Sequence, residues 1–338
     1  MTFLDTGLWA DVRELPGALG ETLDAADGVA EAAGLLRSRA VERIVATGNG
    51  AAYYVAHALW LASLESANTV PPAPPIVAVP CGIAVRDRFR WQPGDAVLAV
   101  SSSGEFRDVV EIARRSAGRP CVAITASAGS SLAGAADAAV LQRVASQRAV
   151  THTQAVAGAY ASGLALWAAI SDDAELVHVL ASAADAAAHA VGEAEAWAAD
   201  VDEAPLPAAA VVAGGGTAWA AALELALMLK EISRIPAEGV ETREGATSAM
   251  FGLGPGHLMV SLDPAGDPLG DEAVRLCAAA GATTVRLPGA AGVDGRLAPI
   301  TTLPAAAALA AELALAAGHD VDRPTWTDAY YETARSAT

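Results

Sequence analysis

The feature that most restricts what this chain can fold into is a set of short apolar runs, each closed by a glycine or serine turn and followed by a longer alanine-rich or amphipathic stretch. DAVLAV (95–100) is apolar after its first residue, and CVAIT (121–125) is nearly so. Runs without polar alternation read as strands buried on both faces, which is the signature of a parallel sheet. VERIVATGNG (41–50), IVAVP (76–80) and AAVLQ (138–142) read as further strands. Between them, residues 17–38, AAYYVAHALWLASLE (51–65) and FRDVVEIARRS (106–116) read as helices, and Pro-rich NTVPPAPP (68–75) as a loop. A long helix is expected over about 152–170 and another across 173–199. Strands alternating with helices predict an α/β fold with helices on both sides of the sheet.

The pattern then restarts. VDEAPLPA (201–208) is acidic and proline-containing, and reads as a linker. Beyond it, VVAGGGTAWAAALELA (211–226) can be laid on IVATGNGAAYYVAHAL (44–59), LMVSLDPAGDPLGDEAV (258–274) on AVLAVSSSGEFRDVV (96–110), and TVRLP (284–288) on CVAIT. Three elements in the same order argue for an internal duplication. The expected organisation is two tandem doubly wound parallel-sheet units: an N-terminal helical segment over 1–40, a first unit over 41–200, a second over 207–320, and a tail over 321–338. A chain of 338 residues is long enough for two domains of ~100–200 residues each. Alanine, at 85 residues, favours the helices, while 5% aromatics argues against a β-sandwich or barrel.

Charge narrows the ligands. There are 21 Lys+Arg against 39 Asp+Glu, a net charge of −18. A surface this acidic repels nucleic acid backbones and anionic lipid, so neither is an expected partner. The longest apolar stretch, 155–170, falls short of the ~18 residues of a membrane span and reads as a buried helix. The opening MTFLDTGLWADVREL lacks a basic segment followed by an apolar one, so a cytoplasmic location is expected. Cys81, Cys121 and Cys277 are too scattered for a zinc or redox motif, and no metal site is expected.

A small anion remains compatible with this charge, because backbone N–H groups at helix starts bind anions regardless of net charge. Gly48-Asn49-Gly50 closes a strand and opens a helix. It lacks the third glycine and following acidic residue of a dinucleotide fingerprint, so no nicotinamide cofactor is expected. Ser101-Ser102-Ser103-Gly104 is more specific: three hydroxyls ahead of a helix, at the carboxyl end of a buried strand, where open α/β sheets bind ligands. The equivalent stretch of the second copy is DPAGD, without serines and with carboxylates, so an anion would choose the first. No GxSxG surrounds the serines. Lys230, the only lysine, and Glu231 lie on an otherwise apolar helix. A carboxylate there is expected to have a raised pKa, as a general base requires; a solvated Lys–Glu pair at a helix end is the simpler alternative.

These residues together resemble the double sugar isomerase (SIS) family, most nearly the isomerase half of glucosamine-6-phosphate synthase. Where the family shows GxGxS after a strand, this chain has Gly48-Asn49-Gly50. Where it shows SxSGxTxD, the chain has Ser101 through Asp108; where it shows ALKxKEI…AE, the chain has ALMLKEISRIPAE (226–238). RELPGAL (13–19) resembles the family's opening segment, and GHDVDRP (318–324) begins like its tail, so the resemblance covers roughly residues 11–330. The departures are Gly50 for a serine, Phe106 for a threonine, Thr247-Ser248-Ala249 for the synthase His-Gly-Pro, and Ala329 for the tail lysine. THTQ (151–154) lies where relatives carry a segment near the sugar, which makes His152 a candidate acid/base and Thr153 a candidate substrate contact; a solvent-facing helix start is the alternative for His152.

The resemblance implies a homodimer binding a small sugar phosphate without cofactor. Gly48, Asn49, Gly50, Ser101, Ser102 and Ser103 would hold phosphate. Glu231, with Lys230 and His152 as lesser candidates, would move a proton between C1 and C2 of an aldose–ketose pair or an amino-sugar phosphate, through an enediol or enediolamine. Two other readings stay open: a non-catalytic phosphosugar sensor, and an enzyme for an altered, unphosphorylated substrate.

Overall fold

Two parallel sheets carry the chain, and their strands fall where the apolar runs are. The computed structural model describes residues 2–65, 73–86, 89–116, 118–200, 206–289 and 291–335. Strands β1 Arg43–Thr47, β2 Ile76–Ala78, β3 Asp95–Val100, β4 Cys121–Thr125 and β5 Ala138–Leu141 form a sheet of order β2-β1-β3-β4-β5. Strands β6 Ala210–Gly214, β7 Ala237–Glu241, β8 Leu258–Ser261 and β9 Thr283–Arg286 form a second, of order β7-β6-β8-β9. Every pairing is parallel. The segments that align between the copies take the same place in both sheets: β1 and β6 second from one edge, β3 and β8 next, then β4 and β9.

The sheet register explains the one polar residue of DAVLAV. Asp95 pairs with Arg43 across β1 and β3, accepting from Nε at 2.8 Å and Nη2 at 2.7 Å. At 1% exposure a lone carboxylate would be costly, and the two-pronged guanidinium contact compensates it. The rest of β3, and all of β4, is buried. The three cysteines are free and buried, Cys121 within β4, and burial pushes the thiols up, Cys81 to about 12.

By internal contacts the chain forms two units. One comprises Gly17–Ala145, Gln154–Ala183 and Trp326–Thr338 and holds the five-stranded sheet. The other comprises Met1–Pro16, Ser146–Thr153 and Ala184–Thr325 and holds the four-stranded sheet. They are called the first and second units below.

Several helices differ from the sequence reading. The helix expected over 17–38 is two, Gly7–Ala25 and Val29–Leu36, divided where Ala26 and Gly28 take φ of 44° and 80°. The stretch 173–199 is likewise two helices, Ala174–Ala181 and Ala183–Asp200. Strand β7 was not anticipated, because AEGVE lacks an apolar run; it is an edge strand with mostly half-buried side chains. Most of the linker 201–208 and of the loop 68–75 lies outside the described residues. The apolar stretch 155–170 falls in the helix Thr153–Ser171. Among the described residues one helical stretch, Gly295–Ala316, is long and apolar enough to span a bilayer, and 94% of that window is buried within the protein.

Candidate anion loop and carboxylate site

The first unit presents the glycine turn and the serine loop at the carboxyl ends of β1 and β3. Gly48 is needed because the helix Ala51–Glu65 starts so close behind it that a β-carbon would lie 2.6 Å from the Ala52 backbone. The Gly50 carbonyl accepts from Tyr53 and Tyr54 N–H at 2.9 and 3.1 Å and so starts that helix. In the serine loop, Ser101 continues the ladder through its N–H to the Ile124 carbonyl at 3.0 Å. Gly104 donates to the Ser101 carbonyl at 3.1 Å and to Ser101 Oγ at 3.2 Å. Its φ is +67°, and a β-carbon there would sit 2.2 Å from Ser130 Oγ, so only glycine closes this turn.

The loop is thus a built turn with its hydroxyls partly engaged. Ser101 is 2% exposed, whereas Ser102 and Ser103 are half-buried. Ser103 Oγ accepts from the Glu105 N–H at 3.3 Å. Glu105 turns its carboxylate onto the start of the helix Ser131–Ala135, accepting from Ser131 N–H at 2.9 Å and Ser131 Oγ at 2.7 Å, which holds its pKa below the usual range. Phe106 precedes the helix Arg107–Arg115 without capping it; its ring packs on the core of Val109, Val110 and Ile112, with the Tyr330 ring 6.2 Å away. A phenyl ring packed on the core supplies no hydroxyl where the resemblance expects one.

The matching turn of the second unit is closed by the protein's own carboxylate. Asp263, which follows β8, accepts from Gly215 N–H at 2.8 Å through Oδ1 and from Thr242 Oγ1 at 2.6 Å through Oδ2. It is 5% exposed, and burial raises its pKa despite both hydrogen bonds. Arg286 fixes the loop by donating to the Asp263 and Pro264 carbonyls at 2.8 and 2.6 Å. The N–H group that would meet an anion is therefore already satisfied by one.

The second unit also contains the carboxylate that the sequence singled out. Glu231 is the last residue of the helix Ala218–Glu231, half-buried, and accepts a hydrogen bond from Thr151 Oγ1 at 3.2 Å. Burial pushes its pKa up to about 7, against the opposing effects of Thr151 and the Lys230 charge. Lys230 itself is exposed. Glu224, two turns earlier on the same helix, was not picked out from sequence. It is 5% exposed, its Oε2 has no hydrogen-bond partner, and burial together with the Glu231 charge raises its pKa. Its signal was legible: a second carboxylate seven residues before Glu231 in a run of Ala, Leu and Met.

What holds Thr151 in place is a clamp on residues 146–151. Asp11, 2% exposed, accepts from Arg148 N–H at 2.6 Å and Ala149 N–H at 3.1 Å, and from the Arg148 guanidinium at 2.8 Å. Glu14 accepts from the same guanidinium at 2.7 Å. Asp322, from the DVDRP motif, caps the first helix through Gly7 and Leu8 N–H, both at 2.8 Å, while its carbonyl accepts from Val150 N–H at 2.9 Å. Two motifs that carried the resemblance thus take part here: RELPGAL gives Glu14 to the clamp and DVDRP gives the cap, Asp322. His152 contacts Gln147, with Nε2 to Nε2 at 2.5 Å, and Thr153 is 1% exposed with no partner for its hydroxyl. Thr151, beside the two residues named from sequence, donates a hydrogen bond to Glu231.

No protein-family profile matches the sequence, and no curated protein does. Solved structures do share its fold. The C-terminal domain of glucosamine-fructose-6-phosphate aminotransferase from Francisella tularensis superposes with a TM-score of 0.75 at 19% identity, covering 94% of this chain and 98% of that one. Tagatose-6-phosphate ketose/aldose isomerase from Escherichia coli gives 0.75 at 19%, covering 94% and 95%. Glucosamine-6-phosphate deaminase from Thermotoga maritima gives 0.71 at 18%, covering 91% and 97%. Over nearly its whole length the chain has the fold of these sugar-phosphate enzymes, the fold its motifs implied.

Proposed function

We propose that the protein is a phosphosugar isomerase, acting on an aldose–ketose or amino-sugar phosphate, with Glu231 as the proton-carrying base. The observation that carries this reading is Glu231 itself: a half-buried carboxylate at a helix end, held by Thr151 and poised at about 7, where a group both takes and returns a proton near neutral pH. In the forward step the carboxylate removes the proton at C2 of the open-chain aldose. The C2 electrons form the C1–C2 double bond of an enediol as the carbonyl oxygen takes up a proton. Return of the proton to C1, with loss of the C2 hydroxyl proton, leaves the ketose. An amino group at C2 gives the enediolamine by the same route. The carbonyl acidifies the C–H bond, so the reading assigns no cofactor or metal.

Phosphate is assigned to the turn at Gly48, Asn49 and Gly50 and to Ser101, Ser102 and Ser103, supplying binding energy remote from the reacting carbons. The Asp263 plug supports this choice over the second unit's turn. The fold shared with sugar-phosphate enzymes supports the substrate class, and the same strand order in both sheets supports an internal duplication. The reading includes a cytoplasmic homodimer.

The test is exchange of the C2 proton with solvent deuterium, followed by NMR over a panel of hexose, pentose and hexosamine phosphates. Exchange with one of them, lost in Glu231→Gln by at least ~10²-fold while binding persists, supports the reading. Binding without exchange in the wild type supports a sensor. One observation favours that second reading: Thr247, at the place of the synthase histidine, donates its hydroxyl to the Arg243 carbonyl at 2.8 Å and brings no imidazole for ring opening.

A further inference from the structure

Residues 86–119 hold seven of the chain's 21 basic residues against five carboxylates, in a chain with 39 acidic residues. The stretch opens with RDRFRW (86–91), three arginines set among two aromatic rings. Its described carboxylates are all engaged: Asp95 pairs with Arg43, Asp108 with Arg107 at 3.2 Å, Glu111 with Arg115 at 2.6 Å, and Glu105 accepts from Ser131. Among the described residues Arg86, Arg90, Arg114 and Arg119 form no ion pair. Asp87 and Arg88, of opposite charge, lie outside the described residues.

Three contacts gather these arginines at one end of the first unit. The Arg115 guanidinium donates to the Val85 carbonyl at 2.9 Å, which joins the last turn of the helix Arg107–Arg115 to the start of the 86–91 stretch. Trp91 meets Phe89 edge-on with ring centroids 4.7 Å apart, and the Arg119 guanidinium lies over the Trp91 ring, 5.4 Å from its centroid. Trp91 also packs on the core, so the stretch is anchored. This is the amino end of the strands: Trp91 precedes β3 and Arg119 precedes β4, whereas the serine loop follows β3. Arg86, Arg90 and Arg114 are exposed, and Arg119 is half-buried. A helix C-terminus favours Arg114, and the indole ring favours Arg119. Neither accounts for Arg86 and Arg90, and like charges gathered on one face repel unless an anion joins them.

We propose that this face is a second anion site, separate from the serine loop, for a small ligand with two or more phosphate groups. Guanidinium forks match phosphate oxygens two at a time, so several arginines around one ligand favour a polyphosphate over a single phosphate. A long acidic polymer is the lesser fit. It would extend beyond the patch onto a protein of net charge −18, whereas a small anion stays within a Debye length, ~8 Å, of the arginines. The inference depends neither on Glu231 nor on a sugar at the serine loop.

The experiment measures calorimetric affinities of the full chain at pH 7 for tripolyphosphate, orthophosphate and hexaglutamate. The proteins are wild type, the double variant Arg86→Gln/Arg90→Gln, and Ser102→Ala. Tripolyphosphate should bind wild type at least ~tenfold tighter than orthophosphate, and weaken as salt is raised from about 50 to about 300 mM. It should lose at least ~tenfold in the arginine variant and stay within about twofold in Ser102→Ala. No binding of tripolyphosphate, equal affinity for orthophosphate, or binding unchanged in the arginine variant overturns the proposal. So does a loss confined to Ser102→Ala, which would put the anion at the serine loop. Hexaglutamate held as tightly through the same arginines overturns it as well, in favour of an acidic peptide. If the double variant does not fold, Arg90→Gln alone carries the comparison, with a severalfold loss expected and none refuting.

Discussion

Thr151→Val removes the hydrogen bond that Thr151 donates to the Glu231 carboxylate. Valine keeps the shape of a side chain that is 2% exposed and removes only the O–H that donates to Glu231 at 3.2 Å. A hydrogen bond to a charged group contributes ~1.5–3 kcal/mol, and the length of this one places it at the lower end. At ~1.4 kcal/mol per pKa unit, its loss raises Glu231 by roughly one unit. The wild-type group, at about 7, is half ionised at pH 7. The variant is then ionised to about a tenth, so any reaction that needs the carboxylate slows roughly fivefold at pH 7 and recovers near pH 9. The pKa is read without substrate, by NMR titration of ¹³C-labelled glutamate with Glu231→Gln used to assign the signal; C2 proton exchange against pH gives the second reading. A Glu231 pKa that stays put or falls in Thr151→Val, or a rate lowered equally at every pH, refutes the argument.

Glu224→Gln should raise the melting temperature at pH 8 and leave it nearly unchanged at pH 4.5. The folded pKa lies above the unfolded value, so the group's contribution is intact in acid and is lost as pH rises through its folded pKa, a loss glutamine does not share. Phe106→Thr should tighten binding of a sugar phosphate by up to ~tenfold while lowering stability by about 1–3 kcal/mol, because a hydroxyl is gained at the loop and a ring is lost from the core. Weakened binding of phosphorylated and unphosphorylated sugars alike would show that the ring packs on the sugar. Asp322→Ala removes the cap of the first helix and should cost ~1–2 kcal/mol in chemical denaturation. No loss there would mean that water caps that helix equally well.

Local pattern in the sequence carried the strands other than β7, and the two loops. An apolar run such as Cys121–Thr125 has one comfortable environment, a sheet covered on both faces, so its place could be read without knowing its neighbours. Ser101–Gly104 was legible as a turn for the same reason: the left-handed φ at Gly104 is a local demand. Glu231 was legible because a carboxylate in an apolar helix is out of place wherever that helix packs. What the sequence left open depends on residues far apart along the chain. Thr151, which hydrogen-bonds Glu231, is 80 positions away from it, and the clamp that presents Thr151 draws on Asp11 and Asp322, which only folding brings together. Glu224 stands in the same apolar run and was as legible as Glu231, but that its Oε2 ends without a hydrogen-bond partner is a property of the packed helix. That Asp263 closes the second glycine turn, and that the Phe106 ring faces the core, are likewise decided by which groups arrive at 3–6 Å, because hydrogen bonds and packing act over that range and sequence separation does not measure it.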